Sequence, residues 1–304
     1  MDRMGYHSPV LLNECIEGLN LKPNGIYVDV TFGGGGHSKE IMKHLDGGEL
    51  FAFDQDDDAH KNNLNQKGFK LIDANFRFLK NFLRLEGVRK VDGILADLGV
   101  SSHQFDIAER GFSTRFEGEL DMRMNLNSDL SAKEVVNNYS QENLANVLYK
   151  YGELKNSRRI AKKINDASSI SNINTTKDLI AVIAEIVPEK HRNQFLARVF
   201  QAIRIEVNDE ITALEEMLLS AVDILNPGGR LVVMSYHSLE DRLVKNLMKK
   251  GNLAGNMVKD FYGNPIKDLI EINRKVIVAS SEEIADNSRA RSAKLRVAEK
   301  INEN

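Results

Sequence analysis

The chain has 304 residues, with 41 Lys and Arg against 44 Asp and Glu, and a formal net charge of −3. This balance argues against a protein that grips nucleic acid by bulk charge, so any such contact must be local. A single cysteine excludes an internal disulfide and fits a reducing cytoplasm.

Short apolar runs alternate with helical patterns over the first hundred residues. Four strands are predicted, at 25–31, 50–54, 69–72 and 91–97. A helix at 38–45 follows the first of them. This β-α-β-α-β order predicts a parallel sheet with helices on both faces.

The next strand, 230–235, comes too late for a single βαβ unit of about 30 residues. Residues 209–225 form the crossover helix, so we place an inserted domain at 106–205. A capping box at Ser131 predicts a helix inside it, and another helix is predicted to open at Thr175 and to stop at Pro188.

The core domain then comprises 1–105 and 206–304. Apolar spacing predicts a further inserted helix at 195–203. Near the end of the chain, 275–279 is predicted as a strand, and 289–296 is a basic run.

A glycine run at 33–36, followed by His37, connects the first strand to its helix. Glycines let the backbone approach a ligand closely, and the helix start behind them favours a carboxylate or phosphate. A tight turn with an exposed histidine is the plainer interpretation of this loop alone.

Asp54 ends the second strand, eighteen residues beyond Gly36, where an acid accepts hydrogen bonds from ribose hydroxyls. A solvated acid in the acidic run 54–58 is the alternative. Loop and acid together indicate a nucleoside-bearing ligand. No Gly-Lys-Ser/Thr follows, which excludes a Walker loop, while the loose glycine spacing keeps NAD as the second candidate cofactor.

Polar groups also follow the later strands. Asp97 ends the fourth strand, either as an acceptor facing the ligand or as an acidic helix cap. Tyr236 and His237 follow the strand at 230–235, and Ser238 beside them fits a helix N-cap. No cluster has metal-ligand spacing, so we expect no metal site.

Several strings recur in a known order: TFGGGGHS, DLGVSS, ERGFS with LDMRM, FQAIRI, SYHSLEDR and SRARSAKLR. Over almost its whole length, the chain resembles the MraW family of bacterial small-subunit ribosomal RNA methyltransferases, which modify the N4 amine of a cytidine. The resemblance implies an α/β fold: a Rossmann-like class I methyltransferase core, with a mostly parallel doubly wound sheet, and an inserted all-helical substrate-recognition domain. It also implies S-adenosyl-L-methionine as the cofactor.

By motif position, the resemblance assigns cofactor contacts to seven residues: Gly35, Gly36, His37, Asp54, Phe76, Asp97 and Gln104. Asp54 would bind the ribose and Phe76 would lie against the adenine. An aromatic face after the third strand can stack on a base, although an ordinary core phenylalanine is the alternative.

The implied target is a cytidine in the decoding region of 16S rRNA, presented on a nearly assembled small subunit in the cytoplasm. Several cations are candidates for contacts with RNA phosphates: Arg158, Arg159, Lys162, Lys163, Arg204 and the run 289–296. In the plainer interpretation, they belong to solvated helix faces. Arg198 and Gln201 share a polar stripe that is a candidate for the cleft between domains. A monomer and a homodimer are both open.

Asp97 is the candidate acceptor for the amine proton, with Tyr236 or His237 supporting a flipped base. Asp97 is followed by Leu-Gly-Val and not by the Pro-Pro-aromatic pattern of other amino-methyltransferases. A role for Asp97 toward the cofactor therefore stays open. A non-catalytic RNA-binding or assembly factor is the alternative class of protein.

Overall fold

The computed structural model describes residues 9–301. The chain divides into two compact units: one runs up to Gly99 and resumes at Ile211, and the other is Val100–Glu210. The second unit begins six residues before the insertion predicted at 106–205 and ends five residues after it. Gln104 therefore belongs to the second unit.

The first unit contains a seven-stranded sheet with the order β3-β2-β1-β4-β5-β7-β6. Its strands are β1 (Ile26–Asp29), β2 (Glu49–Asp54), β3 (Phe69–Asp73), β4 (Val91–Asp97), β5 (Leu225–Ser235), β6 (Leu269–Glu271) and β7 (Lys294–Lys300). The first five are parallel, and β7 runs antiparallel between β5 and β6. The expected Rossmann-like, mostly parallel sheet is confirmed, and its strand order switches between β1 and β4.

The described residues form α-helices in both units. They are α1 (Leu12–Leu19), α2 (Gly36–Lys43), α3 (Asp57–His60), α4 (Leu79–Leu85), α5 (Ser102–Asp106), α6 (Ala132–Asn138), α7 (Gln141–Lys150), α8 (Ser157–Ser168), α9 (Thr176–Ile183), α10 (Arg192–Asn208), α11 (Glu210–Ile224), α12 (Ser238–Lys250) and α13 (Ser281–Asp286). In the first unit, α4, α11 and α12 bury Leu83, Met217 and Leu247 in one apolar core. Leu19 of α1 and Ile41 of α2 belong to a separate core. The sheet is therefore covered on both faces, as a doubly wound fold requires.

The strand predicted at 275–279 is wrong. Only an isolated bridge joins Ile277 to Leu295 there. The strand lies instead at β7, partly inside the basic run 289–296. Its charged residues alternate with buried Leu295 and Val297, and this period of two was the signal that the positive charge masked.

The second unit is helical, and no strand is described between Val100 and Glu210. The capping box predicted at Ser131 is confirmed and begins α6. The helix predicted from Thr175 is α9, and Thr175 begins it with a capping box as well. The α-helical part of α9 ends at Ile183, earlier than Pro188, because a short 3-10 turn replaces its last residues. Among the helices of residues 9–301, none combines the length and the apolar composition that a membrane span requires.

Candidate active site

Four adjacent strands of the first unit end at one edge of the sheet, next to the switch in strand order. The last residues of β2, β1 and β4 are Asp54, Asp29 and Asp97, and β5 ends at Ser235. In open parallel sheets, this edge is where ligands bind. The side chains that follow these strands are therefore the candidates for a ligand site.

The glycine loop depends on its lack of side chains. Gly33 and Gly35 have φ values of +51° and +72°, a region that residues with a Cβ rarely adopt. A Cβ on Gly35 would lie 2.8 Å from the Phe32 ring, and one on Gly36 would lie 2.3 Å from Pro9. The loop therefore needs glycine for close packing as well as for its backbone conformation.

His37 is not the exposed histidine of the plainer interpretation. It lies in the first turn of α2 with a relative exposure of 6%. Its Nε2 is 3.1 Å from the carbonyl oxygen of Val10. Its Nδ1 is 3.8 Å from Oδ2 of Asp97. His37 is thus part of the packed wall of the site.

Asp54 is held by the loop and is not a freely solvated acid. Its Oδ2 accepts a hydrogen bond of 2.8 Å from the N–H of Gly33, and its Oδ1 accepts one of 2.9 Å from the N–H of Asp56. Burial raises the pKa of Asp54 to about 6, although these two hydrogen bonds favour the ionised form. Each carboxylate oxygen has a second lone pair, so the group can still accept a ribose hydroxyl.

Asp29, which the sequence interpretation missed, is a second buried carboxylate at this edge, with an exposure of 1%. It accepts hydrogen bonds from the hydroxyl of Ser38 at 2.7 Å and from the N–H of Thr31 at 3.1 Å. Burial raises its pKa, and the charge of His37 opposes the rise. A single acid inside an apolar strand was the signal available in the sequence.

Asp97 is held through both its backbone and its side chain. Its backbone N–H donates to the Thr31 hydroxyl at 2.7 Å, and its Oδ1 accepts a hydrogen bond of 2.8 Å from the hydroxyl of Tyr236. Burial raises the pKa of Asp97 to about 6, and His37 and Tyr236 oppose the rise. The side chain keeps 25% of its surface exposed and is therefore accessible to a ligand. The helix-cap alternative is wrong, since Ser101 caps α5.

His237 is the N-cap of α12, a role that we expected for Ser238, which is instead the first helical residue. Its backbone N–H donates to Oε2 of Glu240 at 3.3 Å, and its Nδ1 faces the N–H of Glu240 at 3.5 Å. The same carboxylate accepts a hydrogen bond of 2.9 Å from the N–H of Tyr236. The pair His237–Glu240 thus fixes the backbone that carries Tyr236.

The remaining cofactor candidates lie in different places. Phe76 begins a 3-10 turn after β3 and is partly buried against the core, with part of its surface exposed. Gln104 is buried in the second unit, where its side-chain oxygen accepts a hydrogen bond of 3.0 Å from the N–H of Ser101. It caps its own helix, and its contact with the cofactor stays a prediction.

Several cations proposed for RNA are engaged in the fold. Arg204 forms a two-pronged pair with Glu210 at 2.7 and 2.8 Å. In the basic run, Arg296 and Lys294 lie 2.7 and 3.6 Å from the carboxylate of Asp241. A phosphate contact would have to break these pairs.

Of the other candidate cations in the helical unit, two are paired with carboxylates and two are exposed. Lys162 pairs with Asp166 at 2.9 Å and Lys163 with Glu185 at 2.6 Å, whereas Arg158 and Arg159 are exposed.

The polar stripe on α10 packs within its own unit. Arg198 donates to the carbonyl of Gly152 at 2.8 Å, and Gln201 donates to that of Tyr151 at 3.0 Å. The stripe therefore caps the carbonyl end of α7, and its place at a cleft between domains stays a prediction.

The ERGFS and LDMRM strings are joined by a buried arginine. Arg110 donates to the carbonyl oxygens of Arg123 at 2.9 Å and Met124 at 3.2 Å. The N–H of Met122 donates back to the carbonyl of Arg110 at 3.0 Å. In the described structure, the two strings thus brace a loop of the helical unit.

Comparisons with known proteins cover nearly the whole chain. The model of the MraW methylase family matches residues 4–301. Ribosomal RNA small subunit methyltransferase H of Phocaeicola vulgatus is 57% identical over 97% of both chains. The protein of the same name from Flavobacterium johnsoniae is 57% identical over 98% of this chain and 99% of its own.

Solved structures are similar at a lower level. An rRNA methylase from Streptococcus thermophilus has a TM-score of 0.41 and 12% identity, covering 96% of this chain and 94% of that one. NSun6 from Pyrococcus horikoshii with SFG has a TM-score of 0.44 and 12% identity, covering 97% and 53%.

Proposed function

Because the chain belongs to the MraW methylase family, whose methyl donor is S-adenosyl-L-methionine, we propose that it methylates the N4 amine of one cytidine in the decoding region of 16S rRNA. The names of its relatives support small-subunit rRNA as the substrate. The motifs in the sequence support the choice of cytosine N4. The observation that carries the catalytic part is the accessible Asp97 carboxylate held by Tyr236.

The strand-end residues fit the methyl donor. Asp29, Asp54 and Asp97 gather negative charge at one edge of the sheet, which suits a ligand with a sulfonium and an ammonium group. Gly35 and Gly36 carry no side chain, so a ligand that approaches this loop can contact its main chain directly. These features support a donor held at this edge.

We assign the donor's amino-acid end to Gly35, Gly36 and His37, and its ribose to Asp54. Phe76 would lie against the adenine with its exposed surface. Asp97 borders the position assigned to the donor, and its exposed surface can face the target base as well.

When bound, the donor supplies a methyl group already activated for transfer by its sulfonium. Cytosine N4 is a weak nucleophile because its lone pair is delocalised into the ring. Asp97 accepts a hydrogen bond from the amine, which localises the lone pair on nitrogen. The new N–C bond forms as the methyl group's bond to sulfur breaks, with that electron pair staying on the sulfur, and the carboxylate takes up the proton that the nitrogen releases.

A pKa of about 6 suits Asp97 to this task, since the group is mostly ionised at neutral pH and yet is a better base than an ordinary aspartate. The hydroxyl of Tyr236 fixes one carboxylate oxygen and leaves Oδ2 toward His37. We assign His237 a positioning role, because it caps the helix behind Tyr236.

We assign recognition of the RNA to the second unit, Val100–Glu210. The substrate would be 16S rRNA within an assembled small subunit in the cytoplasm. Its exposed Arg158 and Arg159 support a contact with phosphates.

The test is methyl transfer from labelled donor to small subunits and to protein-free 16S rRNA, both lacking the modification. We expect N4-methylated cytidine at one position, measured by mass spectrometry of digested RNA, with particles preferred. Asp97→Asn should bind the donor and lose turnover. Methylation of another atom, or loss of donor binding in this variant, would contradict the assignment.

Donor binding is measured separately by thermal unfolding. A donor at a hundredfold excess over its Kd stabilises the folded chain by about 2.7 kcal/mol. Selective stabilisation by NAD would refute the methyltransferase assignment, and donor binding without any transfer would favour an assembly factor.

A further inference from the structure

A hairpin with unusual exposure follows α12. Residues 256–266 (the 256–266 hairpin) fold back at an antiparallel bridge between Lys259 and Pro265. The N–H of Ile266 donates to the carbonyl of Val258 at 2.9 Å. The hairpin belongs to the first unit but lies outside the site described above.

Two aromatic rings stand at its tip. Phe261 is 97% exposed and Tyr262 is 85% exposed, with their ring centroids 5.7 Å apart and their planes at 86°. Aromatic side chains normally bury about 150–250 Å² each. Contiguous exposed apolar surface on a soluble protein marks an interaction site.

The backbone under the rings is fixed by Asp260. Its Oδ1 accepts hydrogen bonds from the N–H of Tyr262 at 2.9 Å and from that of Asn264 at 2.8 Å. Gly263 has a φ of +87°, as this turn requires. The rings are thus presented on an ordered turn, and the carboxylate beside them is occupied.

The surrounding surface is positive in a chain whose net charge is −3. Residues 242–267 contain six Lys and Arg and a single acid, Asp260. In the described structure, no carboxylate lies within ion-pair distance of the five lysines among them, Lys245, Lys249, Lys250, Lys259 and Lys267. The next acid, Asp268, pairs with Lys300 at 3.3 Å.

Cations combined with exposed rings fit single-stranded RNA, since phosphates pair with lysines and every base has a face for stacking. A second copy of this chain fits poorly, because a two-fold contact would bring the same positive patch against itself.

The hairpin lies near the amino ends of the parallel strands, whereas the active site lies at their carboxyl ends. Leu269, just after it, pairs with Lys300, and the neighbouring Glu299 pairs with Arg230 near the start of the parallel part of β5. From Arg230 to Ser235 the strand rises about 17 Å, at about 3.3 Å per residue. An RNA held here is therefore a remote part of the substrate and not the target base.

We propose that the 256–266 hairpin binds unpaired nucleotides of the RNA substrate, with bases stacked on Phe261 and Tyr262 and phosphates on the neighbouring lysines. The identity of the RNA rests on the function proposed above. Binding of RNA to the hairpin does not require that function and can be measured without it.

The direct test is fluorescence anisotropy of labelled oligouridylate with the full chain. Replacement of both rings in Phe261→Ala/Tyr262→Ala should weaken binding at least about fivefold for each ring that stacks. The variant Phe261→Trp/Tyr262→Trp keeps two aromatic rings and should bind RNA as well as the wild type does. The control is Leu85→Ala, which removes another highly exposed apolar side chain of the first unit and should leave binding unchanged.

Salt dependence tests the lysines. Lys249→Gln/Lys250→Gln/Lys259→Gln should reduce the slope of log affinity against log salt by about 0.7 for each phosphate that a lysine no longer neutralises. Unchanged anisotropy in the double alanine variant, or an unchanged slope in the lysine variant, would overturn the proposal.

Methyl transfer separates this proposal from the function itself. The double alanine variant should raise KM for long RNA at least about fivefold, with kcat and donor binding unchanged. If the wild-type chain transfers no methyl group, the proposed function fails while the anisotropy result still decides the hairpin. Loss of self-association in the variant, measured by sedimentation with RNA binding intact, would make the hairpin a protein interface and refute the proposal.

Discussion

The hydroxyl of Tyr236 donates a hydrogen bond of 2.8 Å to Oδ1 of Asp97, joining the ends of β5 and β4 across 139 positions of sequence. Asp97 is also 3.8 Å from His37, which lies at the start of the helix behind the glycine loop. The hydrogen bond orients the carboxylate that we propose as the acceptor. Burial raises the pKa of that acceptor, and this hydrogen bond, together with His37, opposes the rise.

Tyr236→Phe should reduce turnover and shift its pH dependence. The hydrogen bond from Tyr236 lowers the pKa of Asp97, so its removal should raise that pKa further above about 6. Hydrogen bonds to charged groups contribute about 1.5–3 kcal/mol, so the ionised fraction of Asp97 at about pH 7, and turnover with it, should fall by about two- to fifteenfold. A pH–rate profile with donor binding measured in parallel tests this, and an unchanged acidic limb would contradict it.

Asp97→Asn should stabilise the fold at high pH. The folded-state pKa of Asp97, about 6, lies above its ordinary value of 3.8, so the ionised form is the destabilised one. The ionised carboxylate lowers the free energy of unfolding by about 1–3 kcal/mol after allowance for partial exposure. This cost is full above about pH 6 and disappears toward about pH 4. Urea unfolding of both proteins at the two ends of this range measures it. A gain that persists at the acidic end would rule out this cause.

Asp54→Ala should weaken donor binding by about ten- to a hundredfold, since it removes a charged acceptor for the ribose. The matched control is Asp73→Ala, because Asp73 pairs in register with Asp54 on β3 but its side chain is 69% exposed. Calorimetric titration with the donor compares the two. Equal losses in both variants would mean a general charge effect and not a ribose contact.

Gly35→Ala should destabilise the fold and remove donor binding together. A Cβ there would meet the ring of Phe32 at 2.8 Å, in addition to the strain of a left-handed φ. Gly87 has a similar φ of +81° with nothing within 4 Å, so Gly87→Ala isolates the strain, of about 1 kcal/mol. Thermal unfolding with and without donor separates the two effects. Normal donor binding in Gly35→Ala would refute the role of the loop.

Much of the first unit could be predicted from local sequence. The strands that end at Asp54 and Asp97 are short apolar runs with clear boundaries, and the capping boxes at Ser131 and Thr175 need only four neighbouring residues. The strand β7 could not be recognised in the same way. Its positive charges suggested a surface run, whereas Arg296 is in fact held by Asp241.

The site was predictable only in part. The glycine loop and Asp54 have sequence signatures, but Asp29 has none beyond an acid inside an apolar strand. The burial of His37 depends on Val10, which lies 27 positions away. The exposure of Phe261 and Tyr262 likewise follows from the absence of packing partners in the described structure and not from their residue types.

The sequence by itself determined the order of the elements, the motifs and the residue types at the ends of the strands, because these depend on neighbours in the chain. Only the tertiary structure decided which charges are engaged, as in Arg204 with Glu210, and which carboxylates are buried enough for a raised pKa. Solvent exclusion and ion pairing join residues that are far apart in sequence. A linear pattern therefore identifies the candidates, while folding sets the protonation and accessibility of each.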